Sequence, residues 1–257
     1  MPSSTTQFLK PDWPAPARVA ALVTTRLGGV SAEPFDSFNL GDHVGDDVAA
    51  VALNRRQLVA DCAGLSAVSW LNQVHGTAVV DADAAQLQTA DGQFTRQSGL
   101  GCAVMTADCL PVLFCAADGS QVAAAHAGWR GLCAGVLEQT VATFGDASHV
   151  LAWLGPAIGP VNFEVGAEVR EQFIDAAQAQ QRDRTDASFA PSARANHFLA
   201  NIYALATLRL QAVGVTAIFG GGLCTVADPI RFYSFRRDGI TGRMASLIYI
   251  IGDDDGA

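Results

Sequence analysis

The sequence predicts a mixed α/β (α+β) fold: a single domain in which mixed β-sheets are covered by helices. Strand-length apolar segments come both in consecutive runs and in alternation with helix-length segments, a pattern that a simple doubly wound sheet does not produce. Half of the 257 residues are hydrophobic and 16% are charged, which is enough to bury a full core and argues against disorder. No fixed-period repeat or linker interrupts residues 1–257, so one domain is expected.

The Pro-rich stretch Pro11 to Pro16 forms an extended lead-in to a strand over Val19 to Thr25. The segment RLGGVSAEPFDSFNLGDHVGDD then breaks every periodicity and predicts a long functional loop packed by Phe35, Phe38 and Leu40. A helix opens at Asp46, with Val48, Val51, Leu58, Val59 and Cys62 on one face and Gly64 ending it. Strands are expected at Val68 to Val74, Ala78 to Asp81, Cys102 to Thr106, Val112 to Cys115 and Val122 to His126, and then a helix from Gly131 to Phe144. A strand at Val150 to Leu154 and a helix near Val165 to Ala177 follow, and the polar tract QAQQRDRTDAS makes a surface connection. The last third predicts a helix over Ile202 to Val213, a strand over Ala217 to Phe219, a Gly-rich turn without the spacing of a dinucleotide loop, and a final strand at Ser246 to Ile251.

The formal net charge of −9 argues against binding a nucleic-acid backbone, which needs a basic face. The N-terminal segment lacks the basic and apolar regions of a secretory signal, and no apolar run is long enough for a membrane span. A cytoplasmic protein is therefore expected, with no nucleic-acid or membrane partner. The six cysteines are expected as buried free thiols rather than a disulfide framework, Cys109 excepted. Monomer and homodimer stay equally open.

His75 in LNQVHG, Cys109 in TADCLPVLF and His126 in AAAHAGWRG each end an apolar stretch at a turn marked by Gly or Pro. Two imidazoles and a thiolate without a fourth donor make the ligand set of a catalytic zinc, which keeps one position open for water or substrate. Thirty-four and seventeen residues separate the three, so only a folded domain can bring them together. On pattern alone, hydrogen-bonded structural histidines remain the alternative, and they are the preferred reading for His43, His149 and His197 taken singly.

Arginines are the second constellation. FYSFRRDGITGR concentrates Arg231, Arg236, Arg237 and Arg243, either as a bidentate site for a phosphate or carboxylate or as a solvated hairpin paired with the chain's own acids. Arg26 at the mouth of the long loop and Arg55 on the helix after it are further candidates. In HAGWRG, Arg130 and the helix-start N–H groups can hold an oxyanion, whereas the bland alternative gives Gly128 and Gly131 a packing role only.

The segments LVTTRLGGVSAEPFDSFNLGDHVGDD, LNQVHG, TADCLPVLF, HAGWRG, GPAIGPVNFEVG and FYSFRRDGITGR, in this order from about Val19 to Ile251, resemble the YfiH-like, laccase-domain family. Its members were formerly labelled polyphenol oxidases and are now regarded as purine nucleoside phosphorylases. The resemblance implies one zinc ion held by His75, Cys109 and His126. It also implies phosphorolysis of adenosine, inosine, guanosine and methylthioadenosine, together with adenosine deamination. Asn162 and Phe163 stand where the family usually has Cys-Tyr, so a role carried by that pair is not expected here.

On this basis Arg26, Arg55 and Arg236 are expected to grip phosphate, with Arg130 as a further candidate. Asn39 and His43 are expected to contact substrate, and Asp108 to carry a proton to the purine. Deamination would need a zinc-bound water, and the chain lacks the His-x-Glu and Cys-x-x-Cys signatures of the zinc deaminases. Three other classes stay open. A copper polyphenol oxidase could use the trio with Met105, although five histidines are too few for a multicopper cluster. A cysteine hydrolase would use Cys109 with His75 or His126 as base. A metal-stabilised accessory protein in peptidoglycan editing is the third.

Overall fold

The structure is a computed structural model and describes residues 8–252. The chain enters through β1 (Phe8–Leu9) and β2 (Val19–Thr24). The predicted long loop follows, with Phe35, Phe38 and Leu40 all buried. Helix α1 (Val48–Ala60) is capped by Asp47, whose carboxylate accepts the Ala49 N–H. Its inner face is Ala50, Val51, Asn54 and Leu58, whereas Val48, expected inside, is 73% exposed in the first turn. Asn54 explains the face that is used. Its amide donates to Ser31 Oγ, Ser37 O and Asn39 O, and its Oδ1 accepts from Val30 N–H. The helix thus spends a core position on satisfying loop backbone that would otherwise be buried unpaired.

The apolar run after Val68 splits at Trp70 into β3 (Ala67–Ser69) and β4 (Leu71–Asn72), and β5 (Val79–Asp81) follows. Next come β6 (Gln88–Thr89) and β7 (Gly92–Thr95), too short and polar to be predicted, and then β8 (Leu100–Thr106), β9 (Leu110–Ala116) and β10 (Val122–Ala127). The helix predicted from Gly131 breaks at Gly135, whose φ of 107° is left-handed, into α2 (Trp129–Ala134) and α3 (Val136–Ala142). β11 (Val150–Leu154) matches its prediction, and the helix predicted from Val165 instead begins as β12 (Glu164–Gly166) before α4 (Ala167–Ala176). The polar tract is not a plain connection, because it forms α5 (Arg182–Asp186), tied to α4 by the Arg170–Asp186 ion pair. β13 (Phe189–Pro191), β14 (His197–Ala200), α6 (Ile202–Ala212) and β15 (Ala217–Gly220) lead to the arginine segment. That segment is not a hairpin: it contains the one-turn helix α7 (Phe235–Asp238) and runs into β16 (Met244–Ile250).

The main sheets are mixed, as predicted. One has five strands in the order β1-β2-β16-β8-β3, the other six in the order β15-β11-β9-β10-β7-β5. Val23, Val104 and Ile248 of the first sheet meet Leu113, Ala124 and Trp153 of the second in one core. The far face of the six-stranded sheet, including Val112, Phe114 and Ala125, packs on Leu137 of α3, Val169 of α4 and Leu205 of α6. The far face of the five-stranded sheet packs on Leu58 of α1 and on Phe38 and Leu40 of the loop. This helix, sheet, sheet, helix layering buries both faces of β8, β10 and β16, so these strands read as continuous apolar runs rather than alternating ones. Among the described residues no helix is long and apolar enough to cross a membrane.

The layering positions the functional rim. Thr106 pairs with Met244 across β8 and β16, and His126 pairs with Pro111 across β10 and β9. The end of β8, the start of β9, the end of β10 and the start of β16 therefore share one edge of the sandwich, and both sheets supply it.

Candidate metal centre and its two cavities

Each of the three predicted ligands occupies an unusual piece of backbone at that edge. His75 follows β4 with a left-handed φ of 59°, a conformation that non-glycine residues adopt at a cost. It is held by Asp91, the residue before β7, which is fully buried. The Asp91 carboxylate accepts the consecutive N–H groups of Val74, His75 and Gly76 at 3.1, 2.9 and 2.6 Å, and Nδ1 of His126 at 2.7 Å. One carboxylate thus shapes the loop carrying one imidazole and orients the other, leaving Nε2 of His126 for the centre. Burial pushes the Asp91 carboxyl up, but the bonds from His126 and Gly76 outweigh it and hold the group below its ordinary value.

Cys109 sits in the tight turn between β8 and β9, after Asp108 with φ 91°. Its Sγ lies 3.8 Å from Nε2 of His75, the two imidazole rings are 4.7 Å apart and nearly perpendicular, and the three donor atoms all lie within 4.8 Å of one another. Tetrahedral zinc with ordinary bond lengths sets such donors about 3.3–3.8 Å apart. The spacing therefore fits one small ion after a modest contraction. Burial alone would raise the Cys109 thiol, yet His126 and His75 outweigh it and bring it well below the ordinary thiol value. Burial likewise lowers His126, and Cys109 and Asp91 raise it more. A donor set that already favours thiolate is suited to a cation. Among the described residues no second group of three such donors is present.

The glycines of HAGWRG serve close approach. A Cβ on Gly128 would stand 2.7 Å from Cδ2 of His75 and 3.1 Å from Sγ of Cys109, and one on Gly131 would stand 2.7 Å from the Gly76 carbonyl. Gly128→Ala is therefore expected to displace His75 and to lower metal affinity at least tenfold while the fold persists. Metal titration alongside thermal unfolding checks this, and a variant that binds metal as wild type does would refute the steric account.

Two cavities flank the trio and share His75, Ala107, Cys109 and Phe235. One, of about 280 Å³, is walled by Trp129, Ile158, Phe163 and Ile202, with Asp108, Arg130 and Arg236 also lining it. The other, of about 350 Å³, is lined by His43, Gln73, Met105, His126 and Arg243. Phe235 lines both, although 59% of it is exposed.

Of the predicted substrate contacts, His43, Arg130 and Arg236 line these cavities. Arg130 stacks 4.4 Å over the Trp129 ring, and Arg236 donates to the carbonyls of Asn162 and Glu164. Burial and the neighbouring Arg243 charge lower His43 below its ordinary value. Arg26, Arg55 and Asn39 line neither cavity. Arg26 pairs with Asp36 and lies over Tyr233. Arg55 donates to the Leu40 carbonyl, pairs with Asp42 and stacks on Trp70. These guanidinium groups hold the long loop against the body. Asn39 is fully buried, and its Oδ1 accepts from the Gly41 and Arg243 N–H groups, which ties it to the position of Arg243.

Asp108 lines the aromatic cavity, but both its oxygens are engaged, one by the Thr225 hydroxyl and the other by the Arg236 N–H, each at 2.6 Å. It anchors the arginine segment beside Cys109. Asn162 donates to Cys224 Sγ at 3.2 Å, and Phe163 forms part of the aromatic wall. Asp91, Gln73, Trp129 and Phe235 were not singled out from sequence. Asp91 in TADG has the look of an ordinary turn residue, and β7 beside it gives too weak a strand signal to mark it.

The family described as multi-copper polyphenol oxidoreductase laccase matches residues 20–251. A purine nucleoside phosphorylase of Pseudomonas aeruginosa is 56% identical over 246 residues, covering 95% of this chain and 98% of that one. The purine nucleoside phosphorylase YfiH of Escherichia coli is 52% identical over 248 residues, covering 95% and 99%. Among solved structures, a Neisseria meningitidis protein superposes with a TM-score of 0.89 at 47% identity, covering 96% of this chain and all of that one. YlmD of Geobacillus stearothermophilus superposes with a TM-score of 0.87 at 29% identity, covering 96% and 97%. With a match across nearly its whole length and the His75, Cys109 and His126 cluster assembled at the shared edge of its sheets, this chain belongs to the YfiH-like, laccase-domain family.

Proposed function

We propose that this protein is a metal-dependent purine nucleoside phosphorylase that acts on adenosine, inosine, guanosine and methylthioadenosine, with adenosine deamination as a second activity. The observation that carries this is an open His-Cys-His group between an aromatic cavity edged by Arg130 and Arg236 and a second cavity that holds Arg243, in a chain more than half identical to proteins named for that activity. Phosphorolysis forms a bond from a phosphate oxygen to C1′ of the ribose as the C1′–N9 bond breaks, and the purine leaves with the electron pair and takes up a proton. The products are ribose 1-phosphate and the free base.

The chain's own residues contribute placement and electrostatics. Trp129, Phe163 and Phe235 offer flat apolar surface for a purine, while Arg130, Arg236 and Arg243 bring positive charge to a phosphate or to a base leaving with negative charge. Asp108 acts as a positioning residue, through Arg236 and Thr225, rather than as the proton carrier. His75, Cys109 and His126 would hold zinc, which when bound supplies a Lewis acid at its open position. Incubation with inosine and phosphate should release hypoxanthine and ribose 1-phosphate in equal amounts. Release that is independent of phosphate would overturn the proposal.

A cysteine hydrolase is the second reading, favoured by the lowered Cys109 thiol beside two imidazoles. Chelation separates the two, since a hydrolase of this kind keeps its activity without metal and loses it to alkylation.

A further inference from the structure

We infer that phosphate binds in the chamber lined by Arg243, His43 and Gln73 and that the purine occupies the chamber of Trp129, Phe163 and Ile202. C1′ then lies where the two meet, beside Cys109, His75 and Phe235. This assignment rests on the phosphorylase reading and divides the site that it describes.

The chemistry of the walls separates the chambers. Trp129, Ile158, Phe163 and Ile202 form the body of one, and its two arginines, Arg130 and Arg236, are exposed, so water screens their charge. An aromatic slot of this kind favours a planar base and gives a dianion little to replace its water.

The other chamber holds a partly buried guanidinium with capacity to spare. Arg26, Arg55, Arg231 and Arg237 each pair with an aspartate, whereas Arg130, Arg236 and Arg243 have no carboxylate partner within ion-pair distance among the described residues, and of these three only Arg243 is partly buried. Its Nη1 donates to the carbonyls of Thr241 and Gly242 at 2.9 and 3.0 Å, which fixes the plane of the group. Nε and Nη2 have no hydrogen-bond partner among the described residues. Cys109 and Asp108 act on this charge only at a distance, and a partly buried guanidinium edge without a direct ion pair is suited to an anion, because it binds two phosphate oxygens at once and does so more strongly away from bulk water.

The surroundings pre-form the receptor. Asn39 holds the Arg243 N–H at 2.8 Å, and Gly41 lies so close that a Cβ there would stand 2.8 Å from Cγ of Arg243. His43, two residues on, is thereby brought to the same chamber. Gln73 is locked to Met105 by paired bonds of 2.8 and 2.7 Å, giving the opposite wall a fixed shape. The long loop therefore completes the anion chamber.

Steady-state kinetics with inosine, varying inorganic phosphate and nucleoside separately, test this on the metal-loaded protein. Arg243→Lys, which keeps the charge and loses the fork, should raise KM for phosphate about tenfold and leave KM for inosine within about twofold. His43→Gln, on an exposed loop position that does not threaten folding, should raise KM for phosphate by about threefold. Wild-type protein without nucleoside should show a rise in unfolding temperature with inorganic phosphate that Arg243→Lys reduces. If both variants leave KM for phosphate unchanged, or if Arg130→Gln or Arg236→Gln raises it instead, the assignment is overturned. Wild-type protein that releases no ribose 1-phosphate overturns the phosphorylase reading itself, a distinct result from either of these.

Discussion

Cys109→Ala is expected to abolish metal binding and to lower inosine phosphorolysis by about a thousandfold or more, on the order of 4 kcal/mol of transition-state stabilisation. The thiolate is one of three donors and the only anionic one, so two imidazoles that also need Asp91 for orientation cannot hold the ion at neutral pH. Removing the side chain at a turn should change stability little by comparison. Elemental analysis of the purified variant and its turnover check the two parts separately. Full turnover without bound metal would sink the assignment of the trio.

The second large effect belongs to a residue that never touches substrate in this scheme. Asp91→Asn preserves size and removes the charge, so one oxygen that accepts becomes an amino group facing N–H donors from Val74, His75, Gly76 or His126. Leaving such buried donors unpaired is expected to cost about 2–4 kcal/mol of stability. Metal affinity should fall about 10- to 100-fold, as when other carboxylates that orient histidine ligands are replaced. Denaturant unfolding of the metal-free protein measures the first effect, and competition with a chelating dye measures the second. A variant whose metal affinity stays within twofold of wild type would show that Asp91 supports the fold alone.

The strands of the two main sheets were the most legible part of the fold. β8, β9, β10, β11 and β16 are buried on both faces, so each leaves a continuous apolar run whose length marks a strand. Helix α1 was placed but its face was misjudged at Val48, because periodicity assumes that a core face is apolar and Asn54 is turned inward to pair with loop backbone 15 to 24 residues earlier in the chain. The Gly135 break was hidden for a related reason, since a single glycine inside a helical pattern is tolerated as often as it interrupts.

At the site, the ligands and their supports differ in the same way. His75, Cys109 and His126 were visible because thiol and imidazole at turn-marked strand ends are uncommon and chemically specific. Asp91 was invisible because an aspartate before glycine is the ordinary composition of a turn. The aspartate partners of Arg26 and Arg55 were not legible, because a guanidinium that braces a loop and one that binds phosphate have the same sequence signature.

What the amino-acid sequence determined by itself is therefore the chemistry available: a mixed α/β chain with a His-Cys-His donor set, a surplus of arginine in one short segment, and the family to which its ordered motifs belong. These are properties of residue types and local spacing. The tertiary structure alone decided how that chemistry is deployed. It placed Asp91 between two ligands, gave Arg26 and Arg55 carboxylate partners, and left Arg243 without one inside a cavity. The partner of a charged side chain is chosen among groups distant in sequence, and only the packing of two sheets, a loop and a helix determines which of them lies within hydrogen-bond reach.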